Sequence, residues 1–80
     1  MLLKRYDAVD GMDRGWVTLE SEQETYIVSA TYKDYYDDMY GDAIPFVNND
    51  WYEFSELENA IAKFETEKRF IRYWVEKRGL

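Results

Sequence analysis

The last third of the chain contains the stretch that decides the fold, SELENAIAKFETEKRFIRYWVEKRG at residues 55–79. Its apolar residues recur at the three- and four-residue spacing of one helical face. They are Leu57, Ala60, Ile61, Phe64, Ile71, Trp74 and Val75. Ser55 followed by Glu58 matches a capping box, and Gly79 is a natural helix terminator. The stretch therefore predicts one long C-terminal helix with an apolar face.

The apolar stripe of this predicted helix is interrupted at Glu67 and Lys68, where the spacing requires an apolar residue. A charged side chain is rarely buried unless it is paired. The sequence therefore predicts either that the helix bends at this turn or that the turn leaves the core.

The residues upstream of the helix alternate with the two-residue period of β strands. Between Thr25 and Tyr32, β-branched and aromatic residues alternate and predict a strand. Residues 16–19 predict a second strand. Residues 2–9 predict a weaker first strand, which joins the second through a turn that contains Gly11 and Gly15.

Two further short strands are predicted at 44–47 and 50–54. They flank Asn48-Asn49, and because Asn tolerates a positive φ, this pair suits a tight hairpin turn. Pro45 cannot donate a ladder hydrogen bond, so an edge strand suits it best.

The segment from Asp34 to Gly41 is read as a short acidic helix, with a long ordered loop as the alternative. The elements together predict a single α+β domain over residues 1–80. In this fold a small antiparallel sheet of about four or five strands packs on one face against the C-terminal helix.

The composition excludes several classes of function. Hydrophobic residues make up 46% and aromatic residues 19% of the 80 residues, which argues against intrinsic disorder. Cys and His are both absent, which removes disulfides, zinc–thiolate sites and imidazole acid–base chemistry. No nucleophile is placed beside a base, so we expect a protein that is not an enzyme and needs no cofactor.

The net charge of −7 is concentrated in the middle of the chain. Residues 20–58 contain eleven acidic side chains and one basic side chain. Phosphates would repel such a surface, so we expect a basic protein partner rather than nucleic acid or a membrane. Because the apolar runs are also short, we expect a cytoplasmic protein.

The segment 33–53 interleaves acidic with aromatic residues and is the most unusual part of the chain. If 34–42 were helical, its four Asp residues would share one face, and Glu20, Glu22 and Glu24 would share a face if extended. Both spacings, about 6–7 Å, are similar to the distance between successive phosphates. The segment therefore suggests an acidic decoy that occupies a nucleic-acid groove of another protein; the alternative is a solvated face that keeps the protein soluble. The candidate contact residues are Asp34, Tyr35, Tyr36, Asp37, Asp38, Tyr40 and Asp42, followed by Glu20, Glu22 and Glu24.

In its size, its charge and the acidic–aromatic segment from Asp34 to Tyr52, the chain resembles a general class of small acidic proteins. Phages and mobile elements use this class against host nucleic-acid enzymes, as anti-CRISPR, anti-restriction and glycosylase-inhibitor proteins. The resemblance implies stoichiometric inhibition of a nuclease or similar enzyme by DNA mimicry, in the host cytoplasm, without turnover. The alternative is a general protein–protein interaction module or a homodimer that uses exposed Tyr and Trp side chains.

Two other groups of charged residues are not predicted to form functional sites. Asp7, Asp10 and Asp13 surround a predicted turn, but they lack the alternating acids and distal Glu of a calcium loop, so no metal site is predicted. The basic residues of the last helix are expected to pair with acids three or four positions away rather than to bind nucleic acid. They are Lys63, Lys68, Arg69, Arg72, Lys77 and Arg78.

Overall fold

Four strands and then one helix form the domain in the computed structural model. The strands are β1 (Leu2–Asp10), β2 (Asp13–Glu22), β3 (Thr25–Asp37) and β4 (Ala43–Phe54), and the helix is α1 (Leu57–Arg78). The structure describes residues 1–10 and 13–78; at 10, 13, 34–36 and 77–78 it describes the backbone alone.

The strands form one antiparallel sheet in the order β1-β2-β3-β4, so each strand pairs with its neighbour in the chain. The helix packs against one face of this sheet, and the predicted α+β arrangement is confirmed. Within the described ranges, no helix combines the length and the apolar character that a membrane crossing requires.

The core lies between the helix and the inward-facing residues of the sheet. Val17 and Leu19 of β2 and Val28 and Ala30 of β3 are almost completely buried, which follows from the period-two alternation of the two central strands. The core cluster comprises Ala8, Val17, Leu19, Val28, Ala30, Tyr32, Ala60, Phe64, Ile71 and Val75.

Gly15 sets how closely the helix approaches the sheet. It lies inside β2, opposite Tyr32, rather than in the turn that the sequence predicted, while Gly11 lies outside the described residues. A Cβ atom at position 15 would stand 2.7 Å from Cγ2 of Ile71 and 3.3 Å from Cγ2 of Val75. Both helix residues are buried, so neither methyl group has room to move away.

Replacing Gly15 by Ala tests this contact. In a solvent-exposed strand, a protein with Ala at this position would be more stable than one with Gly by about 0.5–1 kcal/mol. Here we expect the opposite sign, a loss of about 1–3 kcal/mol, because the added methyl overpacks the helix contact. Urea denaturation measures this loss. Combining Gly15→Ala with Ile71→Ala should cost less than the sum of the single changes, and strict additivity would contradict the contact.

Glu67 remains in the core, so neither sequence-based expectation for this turn is correct. The helix runs without a break, and Glu67 faces the sheet with only 7% of its surface exposed. Its carboxylate lies 3.2 Å from the Nζ of Lys63, one turn earlier, and that ammonium group lies 4.1 Å from the centre of the Tyr52 ring. The ion pair compensates the buried charge, and the contact of Lys63 with the Tyr52 ring fastens the helix to β4.

Removing one partner of this ion pair should destabilise the fold, whereas removing both should not. We expect Lys63→Met to cost about 2 kcal/mol, because it leaves the buried carboxylate unpaired, and Lys63→Met/Glu67→Leu to be at least as stable as the wild type. Thermal denaturation compares these variants. The matched control is Arg72→Met, which breaks the exposed Arg72–Glu76 pair of the same 3.2 Å length and should change stability by less than about 1 kcal/mol. A Lys63→Met variant no less stable than this control would refute the role of the buried pair.

The helix begins at Leu57, one residue later than the predicted capping box requires. The carbonyl of Glu56 accepts the first helical hydrogen bond, from the Ala60 N–H at 3.2 Å, so Glu56 rather than Ser55 occupies the cap position. The Asn59 amide reaches the Glu56 carboxylate at 3.5 Å. Glu58 lies in the first turn, where its charge suits the helix dipole.

The hairpin predicted at Asn48-Asn49 is wrong, because both residues lie inside the continuous strand β4. They pair with Tyr32 and Thr31 of β3, and their side chains bond across the strands. The Asn48 amide donates to the Tyr32 hydroxyl at 2.9 Å, and Asn49 Oδ1 accepts from the Ser29 hydroxyl at 3.3 Å. A long partner strand therefore overrides the local turn preference of two Asn residues.

The short helix that the sequence allowed at 34–41 is also not formed. Residues 34–37 continue β3 and pair with 43–46 of β4, and residues 38–42 turn the chain. Aromatic residues favour strands, and a partner strand is available for pairing, so β3 extends. Successive strand residues belong to opposite faces, so the single acidic face expected of a helix over 34–42 does not exist.

Candidate functional site

The end of the β3–β4 hairpin, residues 37–42, is called the acidic tip here. Asp37 and Asp42 are exposed, and between them Met39 and Tyr40 are 87% and 82% exposed. The carbonyl of Lys33 accepts the indole N–H of Trp74 at 3.1 Å, which fixes the end of the helix against β3. Asp37 lies four residues beyond that point, about 13 Å further along the strand. The acidic tip therefore projects past the part of the sheet that the helix covers.

Asp38 has a structural role within the acidic tip. Its Oδ1 accepts the backbone N–H groups of Tyr40 at 2.8 Å and Asp42 at 2.9 Å. Backbone bonds between Asp38 and Asp42 and from Gly41 to Asp38 complete the turn, with Gly41 at a φ of 82°. This is the behaviour of an Asp residue that organises a turn, and it engages Oδ1 of the carboxylate within the chain; the contact expected of Asp38 stays a prediction.

Truncating Asp38 should loosen the acidic tip without unfolding the sheet. Asp38→Ala removes the acceptor of two backbone N–H groups, which is worth about 1 kcal/mol or less at an exposed site. We expect faster amide hydrogen exchange at Tyr40 and Asp42 and an unchanged core. Asp37→Ala, one residue away, serves as the control and should leave both exchange rates as they are. Unchanged exchange in Asp38→Ala would refute the turn role.

The residues Asp34, Tyr35 and Tyr36 belong to β3, where their backbone lies opposite Phe46, Pro45 and Ile44. Their side chains lie outside the described part of the structure, so the contacts expected of them stay predictions. The described candidates on this hairpin are Asp37, Asp38, Tyr40 and Asp42.

The three Glu candidates lie at the opposite end of the molecule. Glu20 and Glu22 are exposed and share one face of β2, as expected, whereas Glu24 lies in the turn between β2 and β3. Glu22 pairs with Thr25, and Asp37 is twelve residues further along β3. At about 3.3 Å per residue, the two acidic groups are about 40 Å apart. The fold therefore does not bring the predicted contact residues into one patch.

The sheet face opposite the helix forms a second candidate surface, called the open face here. No described helix or strand packs over it, although Ile27 and Thr31 on this face are only 8% and 6% exposed. It carries two indole side chains, Trp16, which is half-buried, and Trp51, which is 58% exposed. The side chains that alternation places on this face include Arg5, Asp7, Val9, Arg14, Trp16, Thr18, Glu20, Glu22, Thr25, Ile27, Ser29, Thr31, Lys33, Pro45, Val47, Asn49, Trp51 and Glu53.

The open face carries an ion pair on β1. The guanidinium of Arg5 reaches both carboxylate oxygens of Asp7, at 2.9 and 3.0 Å, and lies 5.8 Å from the Trp16 ring centre. The hydrogen bond with Arg5 and its positive charge, together with that of Arg14, hold the pKa of Asp7 below its ordinary value. The pKa of Arg5 is raised in return. Both groups are therefore charged at neutral pH.

The open face is concave beside Trp16. A groove of about 440 Å³ is lined mostly by apolar atoms of Trp16, Thr31, Pro45, Phe46 and Val47. A second groove, of about 370 Å³, shares Arg14 and Trp16 with the first. A largely apolar depression beside exposed aromatic side chains is typical of a binding surface.

Sequence reasoning did not select Trp16, Trp51 or Arg14 as site residues. The signal was available: because Val17 and Leu19 face the core, alternation places Trp16 and Thr18 on the other side. What the sequence did not show is that this other side has no covering layer in the described structure.

No cluster of three or more acidic side chains within the described residues is arranged to hold a metal ion. Of Asp7, Asp10 and Asp13, Asp7 is paired with Arg5, and the side chains of the other two lie outside the described part of the structure.

Comparison of this chain with protein families, with curated proteins and with solved structures finds no match.

Proposed function

We propose that this chain is a non-enzymatic binding protein that occupies a basic, nucleic-acid-binding groove of a target protein. In this proposal it acts by DNA mimicry, like phage-type anti-defence inhibitors of the anti-CRISPR or anti-restriction kind. The observation that carries the proposal is the acidic tip, which projects past the helix-covered part of the sheet. It presents the carboxylates of Asp37 and Asp42, one on each side of two almost fully exposed side chains.

The carboxylates of Asp37 and Asp42 are available for a partner. The ion pairs of the described residues join other groups, on β1 and on the helix. The Asp42 backbone, rather than its side chain, bonds to Asp38. In this proposal the two free carboxylates take the places of phosphates in the target groove.

Met39 and Tyr40 would supply the apolar part of the contact. Tyr is enriched among the residues that dominate binding energy at interfaces, and an exposed Met adapts to an irregular surface. We therefore expect the carboxylates to govern association and the two apolar side chains to slow dissociation.

At the other end of the molecule, Glu20, Glu22 and Glu24 would form a separate contact with the target. A separation of about 40 Å corresponds to about twelve base pairs of duplex, at about 3.4 Å per pair. Only a groove that holds a duplex of this length would engage both acidic groups.

Charge reversal at the acidic tip tests the proposal. Asp37→Lys/Asp42→Lys moves the net charge from −7 to −3 and keeps Asp38, which holds the turn. The matched control, Glu53→Lys/Glu58→Lys, makes the same change in net charge at two exposed residues near the far end of the molecule, outside the candidate contact residues. A purified RNA-guided nuclease and a purified restriction enzyme serve as probes, and gel-shift assays measure how strongly each protein variant blocks DNA loading.

We expect the wild type and the control to block DNA loading and the reversed tip to be weaker by a factor of about 100, since two attractive contacts become repulsive. Inhibition should also fall steeply with added salt. A probe enzyme that binds this chain and its DNA at the same time, with an affinity indifferent to salt, would contradict mimicry.

The interaction module is retained as a second candidate function, because Trp51 lies more than half exposed on a sheet face that no described helix or strand covers.

A further inference from the structure

We propose that two copies of this chain pack their open faces against each other. The two copies are related by a two-fold axis that lies between the two sheets and is perpendicular to the strands. This inference uses the open face and is independent of the acidic tip, so either proposal can fail alone.

The first argument is charge complementarity along β2. Arg14 and Glu20 are both exposed and both belong to the open face. Six residues separate them, about 20 Å along the strand, so they do not meet within one chain. A two-fold axis at the level of Val17 reverses the strand direction and places Arg14 of each copy opposite Glu20 of the other. The same operation makes this contact twice, as an isologous interface requires.

The second argument is shape. Val17 pairs with Ala30, which pairs with Asp50, so the same axis crosses β4 at Asp50. It therefore carries the exposed indole of Trp51 over Asn49 and Val47 of the second copy. There the apolar groove of about 440 Å³, lined by Thr31 and Val47 among others, is open to receive an aromatic ring. One axis thus satisfies both the charge pair and the fit of a ring into a groove.

The third argument is size. Four strands at about 4.8 Å spacing, overlapping the second copy over about 27 Å along the strands, give a projected area of roughly 500 Å² per copy. The two copies together give a projected area of roughly 1,000 Å². The accessible surface of the side chains adds to this area, which is close to the ~1,200 Å² of buried surface at which stable interfaces begin. The pair of sheets would form a sandwich with the two helices outside, which is a common layer arrangement.

A charge swap on β2 provides the decisive test. Sedimentation equilibrium at 10–100 µM should give twice the 9.7 kDa mass for the wild type. Glu20→Arg or Arg14→Glu alone should weaken the dimer about tenfold or more, because each reversal creates two like-charge contacts. The double variant Glu20→Arg/Arg14→Glu should regain the dimer, and an equimolar mixture of the two single variants should form a heterodimer. A structural role for either residue within one chain does not produce this rescue.

Two controls fix the location of the interface. Glu58→Arg and Arg69→Glu make the same changes in charge on the helix, and both should leave the dimer mass unchanged. Trp51→Ser should give a folded monomer, with circular dichroism as the check on folding.

A wild type that stays at 9.7 kDa at 100 µM would overturn the proposal, as would the failure of both the double variant and the mixture to restore association. A single-stranded oligonucleotide is titrated in parallel while tryptophan fluorescence is recorded. Quenching by the oligonucleotide of a monomeric protein would instead assign the open face to base stacking, and would also overturn the dimer.

Discussion

The contact between Gly15 and the helix residues Ile71 and Val75 is the constraint on which the rest of the structure depends. Because position 15 has no side chain, the helix lies against β2 at a distance that any larger residue would prevent. That closeness buries Val17, Leu19, Val28 and Ala30 with a single helix. Since the chain's one described helix is committed to this face, the other face of the sheet stays open.

The ion pair of Lys63 and Glu67 complements this constraint on the β4 side. The helix packs mainly over the central strands, and the ammonium group of Lys63 above the Tyr52 ring extends its contact toward the edge of the sheet. Near the other end of the helix, the Trp74 indole holds β3 through the Lys33 carbonyl. The described helix ends four residues later, at Arg78, whereas the hairpin extends to the acidic tip at residues 37–42.

Much of the fold was predictable because patterns that depend on one element at a time were strong. The alternation in Thr25–Tyr32 and the apolar stripe from Ala60 to Val75 were sufficient for an antiparallel sheet and a covering helix. The failures lie where a partner strand decides the outcome, at Asn48-Asn49 and at 34–37. The candidate site was less predictable, because the separation of Glu20 from Asp37 depends on strand register. The exposure of Trp51 depends on which face the helix covers.

The order of the elements along the chain has a consequence for biosynthesis. All four strands leave the ribosome before the helix that covers them. The apolar face of the sheet is therefore exposed to solvent while the 22 residues of the helix are being synthesised. Bare apolar strands associate with one another and with other nascent chains. The acidic residues of 20–58 lie on the segment that is exposed during this interval. Mutual repulsion between these acidic segments on neighbouring nascent chains therefore opposes such association.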